Sequence, residues 1–338
     1  MTHATTPDPR PLAPALSPAY RGEGVRRYVR EIAVVAAYLV LLAMMLIARP
    51  DVFAAEFRNT WLSAAPVLIV AVGMTLVIIA RHIDISVGSQ FSACAVLAAV
   101  FAKSGLPMPV VVLAVMVCGV LMGAFNGVFV AFLKLPSIVV TLATMVIIRE
   151  ALSWVRQGAS VQQLPRGFQW LGLSQTAGEL LLIATALLVL AVAIWATRSL
   201  AAGRAPYAVG SDEEAARLAG VRPQRVVFWV FTLTGALAGL AGTLEAIRQP
   251  IVPTNLGRDL ELKAIAAVVV GGTAITGGRG RMLGTLAGVA LLSVVGPALS
   301  SLNVPQEWEK AIYGAIILLA VGSEALLRRP RHRGVAMA

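Results

Sequence analysis

Residues 203–226, GRAPYAVGSDEEAARLAGVRPQRV, form the most polar interior segment of a chain that is otherwise almost continuously apolar. Ser211 followed three residues later by Glu214 makes a capping-box pattern, and Asp212, Glu213 and Glu214 put negative charge in the first helical turn, where the helix dipole favours it. Gly220 supplies the stop. Between cap and stop there is room for about two turns, too short to persist alone in water. Such a helix needs a surface to rest on. Ala215, Leu218 and Ala219 fall at i, i+3 and i+4 as a small apolar face, ringed by the positive charge of Arg217, Arg222 and Arg225. The segment therefore reads either as a docking site for a soluble partner or as a solvated charged loop with a helical turn in it.

What flanks this segment decides the class of protein. Of 338 residues, 58% are hydrophobic and only 13% charged, and the mean hydropathy is +0.81, so the chain is an integral membrane protein. Its apolar runs are about 17–25 residues long, enough to cross a hydrocarbon core of roughly 30 Å as helices. They do not alternate as barrel strands do. The spans predicted from hydropathy number about ten, at 32–48, 61–80, 89–102, 109–133, 138–155, 179–197, 226–247, 260–276, 282–302 and 308–327. The third and eighth are short, which points to discontinuous or partly inserted helices beside a cavity. The expected organisation is a tail at 1–30, broken by Pro7, Pro9, Pro11, Pro14 and Pro18 and read as disordered, not as a cleavable leader. A transmembrane domain follows at 31–327 with a coupling loop at 198–225, and then a basic tail at 328–338.

The net charge of +11 invites a nucleic-acid reading, but the basic residues lie between the apolar segments and at the ends instead of forming one patch. With the N-terminus in the cytoplasm most of the 28 Lys and Arg residues fall inside, which expects both termini and residues 203–226 to be cytoplasmic. Cys94 and Cys118 both sit within apolar runs, as small core residues would.

Sliding the chain against itself by 169 positions brings Gly73, Gly88, Gly119, Gly127 and Pro136 onto Gly242, Gly257, Gly288, Gly296 and Pro305. This pairs spans 2–5 with spans 7–10. A displacement of five spans reverses direction through the membrane, so the expectation is an all-α polytopic protein with inverted-topology repeats and a path at their interface. Glycines at helix-packing faces are the alternative source of the match.

Within the spans, polar residues stand out. Arg81 to Ser89 reads RHIDISVGS, a polar break between the second and third spans. Asp84 is either the N-cap of the third span or a contact on the path, with Ser86 beside it and Gly88 allowing close packing. Asn126, between Gly123 and Gly127, suits either an interhelical hydrogen bond or, like Ser86 and Gly88, a place on the path. Glu245 with Arg248, and Glu261 with Lys263, read as pairs or interface anchors at span ends, Glu261 being a further candidate for the path. His82 has no second His or Cys at ligand spacing, and no metal site is expected. TAITGGRGR at 273–281 lacks the order of a phosphate-binding loop. No catalytic constellation is assembled, and no enzyme is expected.

HIDISVGS, FNGVFVAFLKLPSIVVTLATM, YAVGSDEEAARLAGV and LELKAIAAVVVGGTAITGGRGRMLGT together resemble the permease subunits of bacterial ABC importers for monosaccharides, the group of the ribose, rhamnose and autoinducer-2 permeases. The likeness runs from about residue 61 to 327. Glu214, Ala215, Ala216 and Gly220 match the family's EAA-x-x-x-G signature, whereas its downstream I-x-L-P is absent. Arg81 and His82 stand where the family commonly has two glycines. The resemblance implies a second permease, identical or paralogous, two cytoplasmic ATPase subunits that use the ATP, a periplasmic sugar-binding protein, and residence in the bacterial inner membrane. No cofactor is then held by this chain, and Asp212, Glu213, Glu214, Ala215, Ala216, Arg217 and Gly220 would form the ATPase coupling element. An ion-coupled secondary transporter and a non-transporting membrane scaffold are the rival readings.

Overall fold

The computed structural model describes residues 18–327, and residues 1–17 and 328–338, where most of the expected tails fall, lie outside the described residues. Helix α1 (Pro18–Ala48) takes in residues 18–30 of the stretch expected as tail. It is followed by α2 (Phe53–Ile79), α3 (Val87–Lys103), α4 (Met108–Ala131), α5 (Ser137–Arg156), α6 (Gln175–Ser199), α7 (Ala201–Ser211), α8 (Glu213–Leu218), α9 (Pro223–Ala246), α10 (Leu260–Val270), α11 (Met282–Ser301) and α12 (Glu307–Leu327). Among the described residues there is no β-strand, only an isolated bridge between Val161 and Val252.

Among the described residues six helices, α2, α4, α5, α6, α9 and α11, are long and apolar enough to cross a membrane. They divide by burial. The apolar stretches of α2, α9 and α11 are mostly buried, whereas those of α4, α5 and α6 turn most of their side chains outward. The former are the centre of the bundle and the latter its apolar perimeter, as expected where lipid replaces water as solvent. Core packing rests on small residues: Gly119 and Gly123 of α4 lie on Gly235 and Gly239 of α9, so close that a Cβ on Gly119 would sit 2.3 Å from the Gly235 carbonyl oxygen. At the α2–α11 contact the hydroxyls of Thr75 and Thr285 share a hydrogen bond of 2.7 Å.

Packing between elements is paired. As α3 lies on α9, α10 lies on α2; as α4 lies on α9, α11 lies on α2; and α3 meets α4 and α5 as α10 meets α11 and α12. The two short helices are distinctive. α3 is about 25 Å long and α10 about 16 Å at 1.5 Å per residue, so neither matches a hydrocarbon core of roughly 30 Å. The eighth predicted span overran its helix. Apolar composition continues past Val270, but Gly271 and Gly272, the latter at φ +95°, end the helix there.

One end of the bundle carries α8. There α2 ends at the turn 273–281, with Gly278 N–H donating to the Ile79 carbonyl at 2.8 Å. At the opposite end residues 157–174 fold over the bundle between α5 and α6, with Phe168 fully buried.

Candidate translocation site and coupling helix

The chain leaves α2 at Ile79 and runs without helix until Val87, alongside the first turns of α5. Ser137 Oγ and Thr141 Oγ1 of α5 accept the backbone N–H groups of Ile83 and Ile85 at 3.3 and 3.1 Å, so this stretch of backbone is satisfied although no helix holds it. That arrangement lets α3 begin inside the bundle.

The polar side chains singled out in the sequence meet there. Asp84 is fully buried, and its Oδ1 accepts from Ser86 N–H at 2.9 Å and from Ser86 Oγ at 2.6 Å. Ser86 Oγ in turn accepts from Gln90 Nε2 and Asn126 Nδ2, each at 2.7 Å, and Thr144 Oγ1 donates to Asn126 Oδ1 at 2.7 Å. Asn126 thus makes the interhelical bonds expected of it, joining α3, α4 and α5. The expectation that Asp84 is the N-cap of the third span is corrected: Ser86 occupies the cap position, and Asp84 closes a turn onto Ser86 two residues on. Asp84 Oδ2 has no partner within the described residues.

Glu261 belongs to the same neighbourhood. It lies in the first turn of α10 and is buried, and its Oε2 sits where a Cβ on Gly88 would be 2.0 Å away. Gly88 and Gly257 face each other backbone to backbone: a Cβ on Gly88 would be 2.7 Å from the Gly257 oxygen, and one on Gly257 would be 2.4 Å from the Gly88 oxygen. The N-terminal ends of α3 and α10 therefore meet, each bringing the positive end of its dipole to a place where Asp84, Glu261, Ser86 and Asn126 gather. The pairing expected between Glu261 and Lys263 is corrected. Two residues apart on a helix they point different ways, so Glu261 approaches Arg149 at 3.4 Å and Lys263 approaches Glu309 at 3.9 Å. Glu245 and Arg248, at i and i+3, do pair at 3.1 Å.

Two polar cavities flank this meeting point. One of about 600 Å³ opens at the α8 end, lined among others by Arg81, His82, Lys134, Ser137 and Glu213. The other, of about 260 Å³, lies at the opposite end and reaches down to Phe91 in the second turn of α3 and Leu260 in the first turn of α10.

The segment 203–226 is more ordered than its polarity suggests. Residues 201–211 form α7, which the sequence reading missed because Gly203 and Pro206 read as loop. Ser211 consequently ends α7 in helical conformation and is not the cap of the next helix. Asp212, with extended backbone at φ −158° and ψ 110°, takes that role and accepts Ala215 N–H at 3.0 Å. Glu213 and Glu214 occupy the first turn, and Glu214 pairs with Arg217. Gly220 stops the helix as expected, at φ +83°, with Val221 N–H bonded to Ala216 O and Gly220 N–H to Arg217 O, the two bonds of a Schellman motif. The expected apolar face is presented outward, with Ala215, Leu218 (82% exposed) and Ala219 all exposed, whereas Ala216, expected in the coupling element, is instead turned into the bundle at 4% exposure.

Arg81 joins α8 to the buried network. Its Nη2 donates to Ser211 O at 2.8 Å and its Nε to Thr276 O at 3.0 Å, so one guanidinium ties the end of α2 to the α7–α8 junction and to the α10–α11 turn. Asp84 is three residues further along the chain.

A lipid-embedded helical bundle whose two broken helices bring buried polar groups together between two polar cavities is built as a polytopic membrane permease. The chain belongs to the family described as branched-chain amino acid transport system / permease component, which matches residues 57–321. It is similar to the autoinducer 2 import system permease protein LsrC of Salmonella typhi, at 37% identity over 274 residues, 81% of this chain and 79% of the relative. LsrC of Escherichia coli K12 is 34% identical over 273 residues, covering 81% and 80%, and that of Escherichia coli O157:H7 is 33% identical over 300 residues, covering 88% of each. No solved structure matches. The resemblance carried by the motifs is borne out: this is a sugar-type importer permease, a transport subunit. The family's description names amino acids and the relatives' names autoinducer 2, so membership by itself leaves the cargo open.

Proposed function

We propose that the chain is the membrane subunit of an ATP-binding-cassette importer of the bacterial inner membrane, carrying a small polar solute of monosaccharide size. The cargo would be a rhamnose-like deoxyhexose, a pentose or an autoinducer-2-like molecule. The observation that carries this reading is the convergence of the α3 and α10 N-termini on Asp84, Ser86, Gly88, Asn126 and Glu261, with a polar cavity on either side. We place the path through that point.

The ten-span, inverted-repeat reading draws support from element boundaries. Shifted by the 169 positions that separate Gly88 from Gly257, α2 to α5 fall on α9 to α12, and their packing partners exchange in the same sense. In this topology both termini and α8 are cytoplasmic. The partners are two cytoplasmic ATPase subunits, a second permease and a periplasmic binding protein. α8, with Leu218 outward, Asp212 capping and Gly220 stopping it, is the ATPase contact. Closure of the ATPase pair moves α8, Arg81 passes the movement to the α2–α3 connection and the α10–α11 turn, and the broken helices rock between states open to either side.

Uptake of radiolabelled ribose, rhamnose and autoinducer-2 by a deletion strain and by the strain complemented with this gene tests the reading. Restoration of ATP-dependent uptake of one of them is expected. Uptake driven by an ion gradient without ATP would replace it with the secondary-transporter reading, and unchanged uptake of all solutes with the scaffold reading.

A further inference from the structure

On the outer surface of the bundle α6 and α9 both pack on α2 and leave between them a groove of about 660 Å³. Buried Val72 and Leu76 of α2 form its floor, and α7, which packs on α2, α6 and α9, closes it at the α8 end with Gly203 and Pro206. One wall is a row of every fourth residue along α9: Arg225, Trp229, Leu233 and Leu237. At 1.5 Å per residue the row is about 18 Å long, against roughly 15 Å for one leaflet of a 30 Å hydrocarbon core. Its depth is marked as well. Trp195, in the last turns of α6, and Trp229, in the second turn of α9, are both exposed near the α8 end, as tryptophans at the headgroup level are. Arg225 lies one turn beyond Trp229 toward that end. Among the lining residues it is the one charged side chain, and Thr197 spends its hydroxyl on Ala193 O at 2.8 Å. Exposed Arg222 precedes it by three residues, and exposed Arg204 stands between the lining residues Gly203 and Ala205. None of these three guanidinium groups has an ion-pair or hydrogen-bond partner among the described residues.

From this geometry we infer that the groove binds one anionic phospholipid of the leaflet on the α8 side, with an acyl chain along α9 and the phosphate on Arg225. Water does not fill such a gap, because its walls offer almost no hydrogen bonds, and within a bilayer a narrow apolar chain is the filler at hand. The mouth selects the headgroup. Guanidinium groups take phosphate oxygens through paired, charge-assisted hydrogen bonds, and with no carboxylate in the lining a net negative headgroup is favoured over a zwitterionic one, whose ammonium the arginines repel. A second copy of this chain seated on the same face about a two-fold axis along the membrane normal would bring its own Arg222 and Arg225 to the same level, like charge facing like. The inference is independent of the cargo. It places a lipid beneath α7, which runs directly into the cap of α8 at Asp212, so that occupancy of the groove supports the seat of α7.

The test uses the full-length permease purified in detergent, with phosphatidylglycerol carrying brominated acyl chains as probe and brominated phosphatidylcholine as zwitterionic control. Bromine quenches tryptophan only at close approach, so the quenching that Trp229→Phe lacks is the part that reports the groove. That part is expected to saturate at one phosphatidylglycerol per chain and to need about tenfold more phosphatidylcholine. Arg225→Gln should remove most of this preference and Arg225→Lys should keep part of it; the residue is exposed, so both replacements leave the bundle folded. Ala193→Phe, which builds into the groove from α6, should weaken both lipids alike. Equal affinity for the two lipids in the parent, a preference untouched by Arg225→Gln, or quenching that does not saturate overturns the inference and leaves the groove to ordinary bilayer lipid. Absence of Trp229 quenching also overturns it, and in a dimeric preparation gives the face to a second copy. None of these outcomes bears on the importer reading.

Discussion

Gly88→Ala places one methyl group where the broken helices meet, and its cost follows from what that methyl touches. An added Cβ would lie 2.0 Å from Glu261 Oε2 and 2.7 Å from the Gly257 carbonyl oxygen. The carboxylate sits at the end of a rotatable side chain and can yield. The carbonyl is backbone, and an ordinary contact of roughly 3.4 Å requires the ends of α3 and α10 to part by about 0.7 Å. Overpacking of this kind costs about 1–3 kcal/mol, partly offset by the roughly 0.8–1 kcal/mol that alanine gains over glycine inside a helix. Gly314 in α12 is the control, because nothing lies within 4 Å of its Cβ position and Gly314→Ala should show only the gain. Thermal melts of the purified proteins in detergent, followed by tryptophan fluorescence, are expected to put Gly88→Ala below the parent and Gly314→Ala at or above it. In a Glu261→Ala background part of the Gly88→Ala cost should disappear, a coupling within the 0.5–3 kcal/mol range for residues in contact. If Gly88→Ala melts with Gly314→Ala, the helix ends do not approach as described; if the cost is the same with and without Glu261, the carboxylate is not one of the colliding groups.

Asp84→Asn keeps an acceptor for Ser86 N–H while removing the charge, whereas Asp84→Ala removes both, so loss of uptake by both with normal insertion assigns the function to the charge, and loss by Ala alone assigns it to the turn. Gly220→Val puts a β-branched residue at φ +83° and is expected to shed the ATPase on purification with the bundle intact, as is Leu218→Asp; co-purification yields check both, and full retention by both returns the segment to an ordinary solvated connection. Arg81→Gly removes two hydrogen bonds but also relieves φ +68°, so its melting temperature should stay near that of the parent while sugar-stimulated ATP hydrolysis falls; unaltered stimulation removes Arg81 from the coupling route. His82, in the connection after α2 at the α8 end, has its imidazole pushed down to about 4 by burial, so its neutral form stabilises the fold above pH 6.5 and that contribution fades as pH drops from there toward 4. A smaller fall in melting temperature between pH 6.5 and 4 in His82→Gln than in the parent is the expected result, and an equal fall would remove His82 from the pH dependence.

The apolar helices were legible because lipid-facing and core-facing helices are both apolar, and the polar cluster at the α3–α10 meeting point was legible for the opposite reason, as polar residues inside apolar runs. Hydropathy does not register where a helix breaks while staying apolar, which is why the tenth helix was expected to continue past Gly271 and Gly272. α7 went unseen because Gly203 and Pro206 depress helix propensity locally, whereas in the fold α7 is held by packing on α2, α6 and α9. The cap slipped by one residue from Ser211 to Asp212 for the same reason: once α7 runs through Ser211, only Asp212 has the extended backbone a cap needs. Partners in space were beyond reach altogether. Lys263 and Glu261 are neighbours in sequence, but the helix turns them toward Glu309 on α12 and Arg149 on α5.

Arg81 shows how a departure from a family pattern carries structural content. At a position where the resemblance leads one to expect glycine, this chain puts a non-glycine residue at φ +68°, a conformation costing about 1–3 kcal/mol. Hydrogen bonds from a charged donor contribute roughly 1.5–3 kcal/mol each when they are shielded, and less in the exposed setting of this guanidinium, so its two bonds offset the strain without a large surplus. Stability alone therefore gives little reason to replace glycine with arginine here. What the side chain adds is connectivity: it bonds Ser211 O and Thr276 O from the end of α2, and the backbone continues from Arg81 to Asp84 in three residues. A glycine at this position would lose the bonds to Ser211 O and Thr276 O, while the Tyr207–Gly280 and Gly278–Ile79 bonds would still tie this end of the bundle together, so it is the direct link from the α2–α3 connection to the α7–α8 junction that the arginine adds.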